Sequence, residues 1–341
     1  MHPIAETIAE TLGALSLGAP QTFRGLTVVP LVSGNGRAPD YVTLDEALAG
    51  RLARVTEVSE GGSVPELRFV NDSPEKVLLV DGEELVGAKQ NRVLNVTILV
   101  GAKQTVTIPV SCVEQGRWRH TSAEFASANR AHFARGRAAK AAQVSASLRT
   151  SGSRRSDQSQ VWEAIRSKAD HFSAASPTGA MGAVFETQAE DLGAYERALP
   201  PGEGQAGAVF AIGGKVAGLD LFDAPATLGK LWAKLLGSYA LDALEEAPEA
   251  GKGGEAAAEA IRGEAAAFLA RVGAARAERF PGVGLGEDLR LEGRGLCGRA
   301  LAEGGRVVHL NAFRLEGEGQ PRDAGRRPAM ARASQRRGHR R

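Results

Sequence analysis

Apolar residues recur in two rhythms along this chain, and the change from one to the other sets out its elements. Ile4, Ile8, Leu12 and Leu15 fall on one side of a helix, which predicts a short amphipathic helix at the start. Residues 26–31 read as a strand closed by a glycine-rich turn at 34–36, and residues 43–49 as a short helical turn with Asp45 and Glu46 near its start. The period then becomes two. Residues 66–70 and 76–80 flank the turn signal Asn71-Asp72-Ser73-Pro74, Asp81-Gly82 is a second tight turn, and residues 92–100 and 105–114 are two further strands. Past Trp118 the period is 3.6. Thr121 and Glu124 have capping-box spacing for a helix running to about residue 148. Residues 149–159, rich in Ser and Arg, read as a mobile loop, and Asp157 as the cap of a helix with Trp162, Ile165, Ala169 and Phe172 on one side. Residues 207–212 and 215–221 form a hairpin around Gly213-Gly214, and Asp223 and Pro225 open a helix with Leu228, Leu231, Trp232, Leu235 and Tyr239 inward. Residues 247–254 are a linker, the alanine-rich stretch to Phe280 a helix, and residues 289–315 return to β around Gly304-Gly305.

Strands cluster first, helices follow, and a second mixed segment closes the chain, which argues α+β over a regular βαβ winding. The expected fold is therefore α+β: an antiparallel β-rich N-terminal half, central helices, and a second segment of β-hairpins and helix. At 341 residues the chain is about two ordinary domains or one large one. It reads as a single large domain over residues 1–316, with a β-rich lobe at about 20–118, a helical segment at 121–175 and a mixed lobe at 176–316.

Composition changes this picture at one end only. Hydrophobic residues at 43% and charged residues at 24% are ordinary globular usage and exclude fibrous, collagen-like and disulfide-scaffold classes. The net charge of +2 hides an asymmetry: residues 317–341 hold eight arginines against Glu318 and Asp323, leaving the rest mildly acidic. Such a tail buries too little apolar surface to fold, so disorder is expected there, with weak, non-specific binding of polyanions rather than of a specific nucleic acid. Cys112 and Cys297 make no disulfide framework, which points to a reducing cytoplasm. No apolar run approaches bilayer length, so no membrane contact is expected. The histidines lack zinc-site spacing, no cofactor follows from the sequence, and Cys112 among valines reads as a buried thiol.

Candidate chemistry gathers between Asp81 and Trp118. Glu83, Glu84, Lys89, Gln90, Asn91, Arg92 and Asn95 crowd polar groups into a strong β pattern. If residues 92–100 and 105–114 pair as a hairpin across a five-residue connection, Leu94 meets Cys112 and Arg92 meets Glu114 at the end of an apolar face. Pro109 must then sit at an edge or a bulge. An Arg92–Glu114 pair has two readings: a salt bridge closing the sheet, or the floor of a ligand pocket. In the second, Arg92 and Arg117 offer planar forks to phosphate, Trp118 a flat ring, and Glu83 and Glu84 acceptors for ribose hydroxyls or Mg²⁺. The nine basic residues over 117–155 read as a solvated helical face, His309 as a core or rim histidine, and Asp223 as a helix cap.

Residues 81–95, Asp-Gly-Glu-Glu-Leu-Val-Gly-Ala-Lys-Gln-Asn-Arg-Val-Leu-Asn, followed by residues 108–118, Ile-Pro-Val-Ser-Cys-Val-Glu-Gln-Gly-Arg-Trp, resemble the ARG and Rhodanese-Phosphatase-superfamily-associated Protein domain. Residues 160–162 and 231–244 look similar too, so the likeness spans about residues 20–245. The resemblance implies a bacterial-type soluble domain associated with ADP-ribosylglycohydrolases and phosphatase-like proteins, and a role around ADP-ribose or NAD-derived nucleotides. It implies no catalytic residues. Residues and resemblance together make a small nucleotide-like ligand the expected partner, bound by Glu83, Glu84, Lys89, Gln90, Asn91, Arg92, Asn95, Glu114, Arg117 and Trp118. The alternatives are a hydrolase on ADP-ribose-type substrates, with Glu83, Glu84 or Glu114 as base, and a protein-interaction scaffold using the basic helix and tail.

Overall fold

The segment between residues 53 and 131 closes on itself. In the computed structural model, which describes residues 4–34, 37–59, 61–246 and 255–315, six antiparallel strands form a barrel. Their order is Thr105–Cys112, Glu66–Asn71, Ala53–Glu57, Phe125–Ala131, Glu83–Gly87 and Arg92–Leu94, and the last returns to the first. Val55, Leu67, Phe69, Leu85, Leu94, Ile108, Val110 and Phe125 are buried in one cluster that fills it, as side chains fill any barrel this small. The Arg-rich tail, the 247–254 linker and the end of the first glycine turn lie outside the described residues.

Beside the barrel, Ile98–Val100, Lys76–Leu79 and Tyr41–Thr43 make a three-stranded sheet. The third sheet has nine strands. It runs Leu15–Leu17, Leu26–Ser33, Gln205–Ile212, Lys215–Phe222, Arg306–Arg314, Leu296–Glu303, Glu287–Gly293, Arg276–Pro281, with Gln21–Phe23 also on Leu26–Ser33. Eight helices lie among the described residues: α1 (Ile4–Gly13), α2 (Leu44–Ala49), α3 (Ala134–Ser151), α4 (Gln158–His171), α5 (Met181–Thr187), α6 (Ala189–Ala198), α7 (Pro225–Glu245) and α8 (Glu255–Gly273). The α+β class is as expected. None of these helices is long and apolar enough to cross a membrane.

The two faces of the nine-stranded sheet differ. One is apolar: Val29, Leu31, Leu219 and Leu310 pack with Ile8 and Leu12 of α1 and Phe268 and Val272 of α8. On the other, Phe210 stacks on Tyr239 and Trp232 of α7, and further along that face α3 packs against the sheet.

Local signals proved reliable. The helical turn read at 43–49 is α2, Asp157 caps α4 through Ser159 N and Gln160 N, and the Gly213-Gly214 hairpin pairs as read, whereas Thr121 and Glu124 cap no helix. Five expectations are corrected. First, residues 92–100 and 105–114 are not a hairpin. Residues 98–100 leave the barrel for the three-stranded sheet, residues 105–109 pair with 66–70, and only residues 110–112 reach 92–94. The chain is drawn off by its polar groups: Asn95 N–H donates to Pro109 O, and Thr97 Oγ1 accepts from Asp81 N–H. Pro109, which has no N–H to give, stands where its strand changes partner.

Second, Phe125–Ala131 is a strand, and α3 begins only at Ala134; barrel closure overrides local helical preference. Third, the alanine-rich helix ends at Gly273, because Arg276–Pro281 pairs with Glu287–Gly293 as an edge strand. Fourth, Asp223 does not cap α7; its carboxylate accepts from Tyr41 Oη and Arg306 Nε, and the cap position is Ala224. The expected loop at 149–159 also starts late, since α3 runs to Ser151 and stops at Gly152 in the left-handed conformation.

Candidate functional site

Strand alternation places Arg92 at the end of the barrel. Leu94 points inward, so Arg92 two residues earlier does too, and Glu57 does the same after Val55. The register sets Arg92 opposite Cys112, not Glu114, a slip of two residues from the expected pairing. Its guanidinium is 0% exposed. Nη1 donates to Gln90 Oε1 at 3.1 Å and to the Asn91 carbonyl at 3.4 Å, while Nε and Nη2 are buried without a partner. Glu57 Oε1 accepts from Lys89 N–H at 3.4 Å, and its Oε2 is likewise buried and unpaired. Burial pulls the Arg92 guanidinium below its ordinary value, opposed by the Glu57 and Glu114 carboxylates. Burial also pushes the Cys112 thiol up, so it stays protonated and donates to Glu114 O.

Trp118 lies across this mouth. Its ring is 49% exposed, with Lys89 Nζ 5.3 Å and Arg92 Cζ 5.8 Å from the centroid. The loop that carries it is held by Arg117, whose donors are all taken. Nε donates to Glu114 Oε2 at 2.8 Å, Nη1 to Ala88 O at 2.7 Å and Thr121 Oγ1 at 3.1 Å, and Nη2 to Asn91 Oδ1 at 2.9 Å and Gly87 O at 3.2 Å. Glu114 is equally occupied, accepting also from Asn91 N–H at 3.1 Å and Thr178 Oγ1 at 2.8 Å. Burial pushes its carboxyl up, but the bonds from Arg117, Thr178 and Asn91 win and hold it below the ordinary range. The expected Arg92–Glu114 pair is thus replaced by Glu114–Arg117.

Seven of the ten sequence candidates meet here: Lys89, Gln90, Asn91, Arg92, Glu114, Arg117 and Trp118. The other three are elsewhere. Glu83 accepts from Lys234 Nζ at 2.7 Å and Val80 N–H at 2.7 Å, and Glu84 from Arg130 Nε at 2.5 Å. As neighbours on one strand they face opposite ways, so they hold no shared cation. Asn95 accepts from Ser111 Oγ at 2.6 Å and donates to Arg154 O at 3.0 Å. The expected cleft is also displaced. An open cleft of about 350 Å³ lies between α3 and the Leu296–Glu303 strand, lined by Arg149, Leu291 and Cys297, away from Arg92.

A second cluster went unread in the sequence. Arg137 and Lys140, expected on a solvated face, are 0% exposed and reach into the seam between α3, the barrel and the large sheet. Arg137 donates to both oxygens of Asp220, at 2.6 and 3.0 Å, and to Asp81 at 3.3 Å. Asp81 also receives Arg299 Nη2 and Asn311 Nδ2, and Asp220 receives Tyr239 Oη at 3.0 Å. His309 bridges onward, Nε2 donating to Asp220 at 3.3 Å and Nδ1 accepting from Thr97 Oγ1 at 2.8 Å. Burial raises the Asp81 carboxyl, yet Arg299 and Arg137 hold it far below its ordinary value. Burial drags Lys140, whose Nζ donates to Leu94 O at 2.5 Å, down to about 7. Gly82 is required where it stands: φ is +85°, and a Cβ would sit 3.0 Å from Arg137 Cδ. The signal available in the sequence was polar residues at alternate strand positions, Asp288 with Arg290 and His309 with Asn311, within otherwise apolar strands.

A family model described as the ARG and Rhodanese-Phosphatase-superfamily-associated Protein domain matches residues 14–313, which takes in the barrel and nearly all of the large sheet. Neither curated proteins nor solved structures offer a match.

Proposed function

This chain belongs to the ARG and Rhodanese-Phosphatase-superfamily-associated Protein domain family, and from that premise we propose that the barrel mouth binds an ADP-ribose-like nucleotide. A phosphate takes the free edge of Arg92, the ring system lies against Trp118, and a ribose hydroxyl donates to Glu57 Oε2. One observation carries this reading: a fully buried guanidinium whose Nε and Nη2 have no partner. Those two N–H groups point the same way and form the edge that grips a phosphate or carboxylate in a bidentate fashion. Trp118 is the most exposed group of the mouth and supplies the flat surface a base needs. Access to Arg92 requires the indole to swing aside, which its exposure permits.

The hydrolase alternative is less well supported. A general base needs a carboxylate oxygen able to take a proton from its reactant; both oxygens of Glu114 and of Glu83 already accept bonds from the protein, and Glu84, whose Oε1 is unpaired, sits apart from the mouth on Arg130.

A thermal-shift titration tests the reading, with ADP-ribose, AMP, ribose 5-phosphate and inorganic phosphate as probes. ADP-ribose should raise the melting temperature in a saturable way, equivalent to about 2.7 kcal/mol at a hundredfold excess over Kd. Arg92→Met should abolish the shift and Trp118→Ala should weaken it. A flat response to all four probes defeats the reading, and equal responses to phosphate and ADP-ribose defeat the stacked ring.

A further inference from the structure

The two open donors of Arg92 have a third beside them. Gln158 pins α4 to the end of the barrel: its Oε1 accepts from Cys112 N–H at 2.8 Å, and its Nε2 donates to Cys112 O at 2.7 Å. Trp162 lies one turn further along the same face of α4. Its Nε1 lies at the Cys112 sulfur and is buried without a hydrogen-bond partner, although the residue as a whole is only half-buried. Cys112 is also the cross-strand partner of Arg92, so those two side chains share one face of the strand pair. Arg92 and Trp162 therefore approach one sulfur, the first from the sheet and the second from the helix. The sulfur serves neither. Its S–H goes to Glu114 O and it accepts from Glu114 N–H, both at 3.4 Å, and burial keeps it uncharged.

Three N–H groups around Cys112, Arg92 Nε and Nη2 and Trp162 Nε1, are thus buried with no acceptor. Leaving such groups unpaired is costly, and an acceptor-rich occupant removes the cost. A carboxylate fills the fork of Arg92 with its two oxygens and has none left for Trp162. A phosphate, alone or within a diphosphate, presents a further oxygen. The carboxylates nearby leave room for that charge: Glu114 is matched by Arg117, and Glu57 is the acceptor for the ligand's hydroxyl. We propose that Trp162 is a binding residue of the mouth, its Nε1–H donating to a third oxygen of the phosphate group gripped by Arg92, so that the site selects phosphorylated over carboxylated ligands. This rests on the nucleotide reading and adds to it a residue and a selectivity.

The full chain, labelled with ¹⁵N, carries three indole N–H groups, those of Trp118, Trp162 and Trp232. Trp232 donates to Leu199 O at 2.9 Å and serves as the internal reference. Saturation with AMP or ADP-ribose should move the Trp162 indole proton downfield and leave that of Trp232 in place. The wild-type chain should bind AMP about tenfold more tightly than adenosine 5′-carboxylate, and Trp162→Phe should lose about that factor for AMP alone. If Trp162→Phe does not fold, the indole shift and the wild-type comparison of the two ligands decide. A Trp162 proton that stays in place while Trp118 responds overturns this proposal and leaves the nucleotide reading standing, as does equal affinity of Trp162→Phe and wild type for AMP. No response of either tryptophan to AMP or ADP-ribose overturns both.

Discussion

The barrel mouth and the seam beneath the large sheet bury guanidinium groups to the same depth and treat them in opposite ways. Arg137 in the seam meets two carboxylates with all three nitrogens engaged, whereas Arg92 in the mouth meets two neutral oxygens through Nη1 alone. Burying a charge costs several kcal/mol unless it is paired and hydrogen-bonded. The seam answers that cost internally, and the mouth leaves it standing. The same contrast appears within the mouth, where Arg117 is saturated by Glu114, Thr121 and the 87–91 turn. Depth of burial does not separate a structural arginine from a binding one. The count of unpaired donors does.

The largest expected effect lies in the seam. Asp220→Ala removes the bidentate partner of Arg137 and an acceptor for Tyr239 and His309 together, so unfolding in urea should show a loss of about 3–5 kcal/mol. A loss below about 1 kcal/mol would mean that the seam is no better compensated than the mouth, and the comparison would collapse.

Next comes pH, through Lys140. Its folded value of about 7 lies well below the 10.5 of a free lysine. Between those values the unfolded chain holds a proton that the folded chain lacks, so stability rises with pH across that window, by up to about 1.4 kcal/mol per pH unit. Below about pH 7 both states are protonated, and the burial penalty on the ammonium is felt in full. Lys140→Met should flatten this limb of a stability–pH profile measured by urea unfolding from pH 6 to 10. An unchanged slope in that variant would assign the dependence to another group. His132 acts on the acid side in the same sense: buried, and beside Lys140 and Arg137, it is neutral in the fold, so stability should fall as pH drops below its ordinary value near 6.5.

What could be read from the sequence divides along the same line. The α2 turn, the Asp157 cap and the Gly213-Gly214 hairpin rest on residues within a few positions of each other, and all three were legible. Seven mouth residues were legible because they fall in two short runs that the barrel brings together. The Arg92 register was not, since a two-residue slip keeps every side chain on its face and leaves the apolar pattern unchanged. The seam was hidden for a different reason. Arg137 and Lys140 on an alanine-rich helix look solvated until Asp81 and Asp220, 56 and 83 residues from Arg137, are known to meet it. Glu57 was overlooked because a lone carboxylate at a strand end carries no local mark.

The smallest expected effect is the most discriminating, because its sign matters more than its size. Arg92→Met keeps a long apolar stem that still fills the barrel end beside Leu85 and Cys112. It removes a buried charge with two unpaired donors, and it leaves Gln90 Oε1 without the bond it accepts at 3.1 Å. The first change stabilises by a few kcal/mol and the second costs about 1–2 kcal/mol, so the net should be a gain of about 1 kcal/mol. The urea midpoint should move up with an unchanged slope. The same substitution at Arg137 should instead destabilise, since it strands Asp81 and Asp220 without their shared cation. A gain at one position and a loss at the other, for one chemical change at equal depth, is what an arginine kept open for a ligand requires. A loss of about 3 kcal/mol or more at Arg92 would place it with Arg137 among the structural groups, and the mouth would then have no vacant fork to offer.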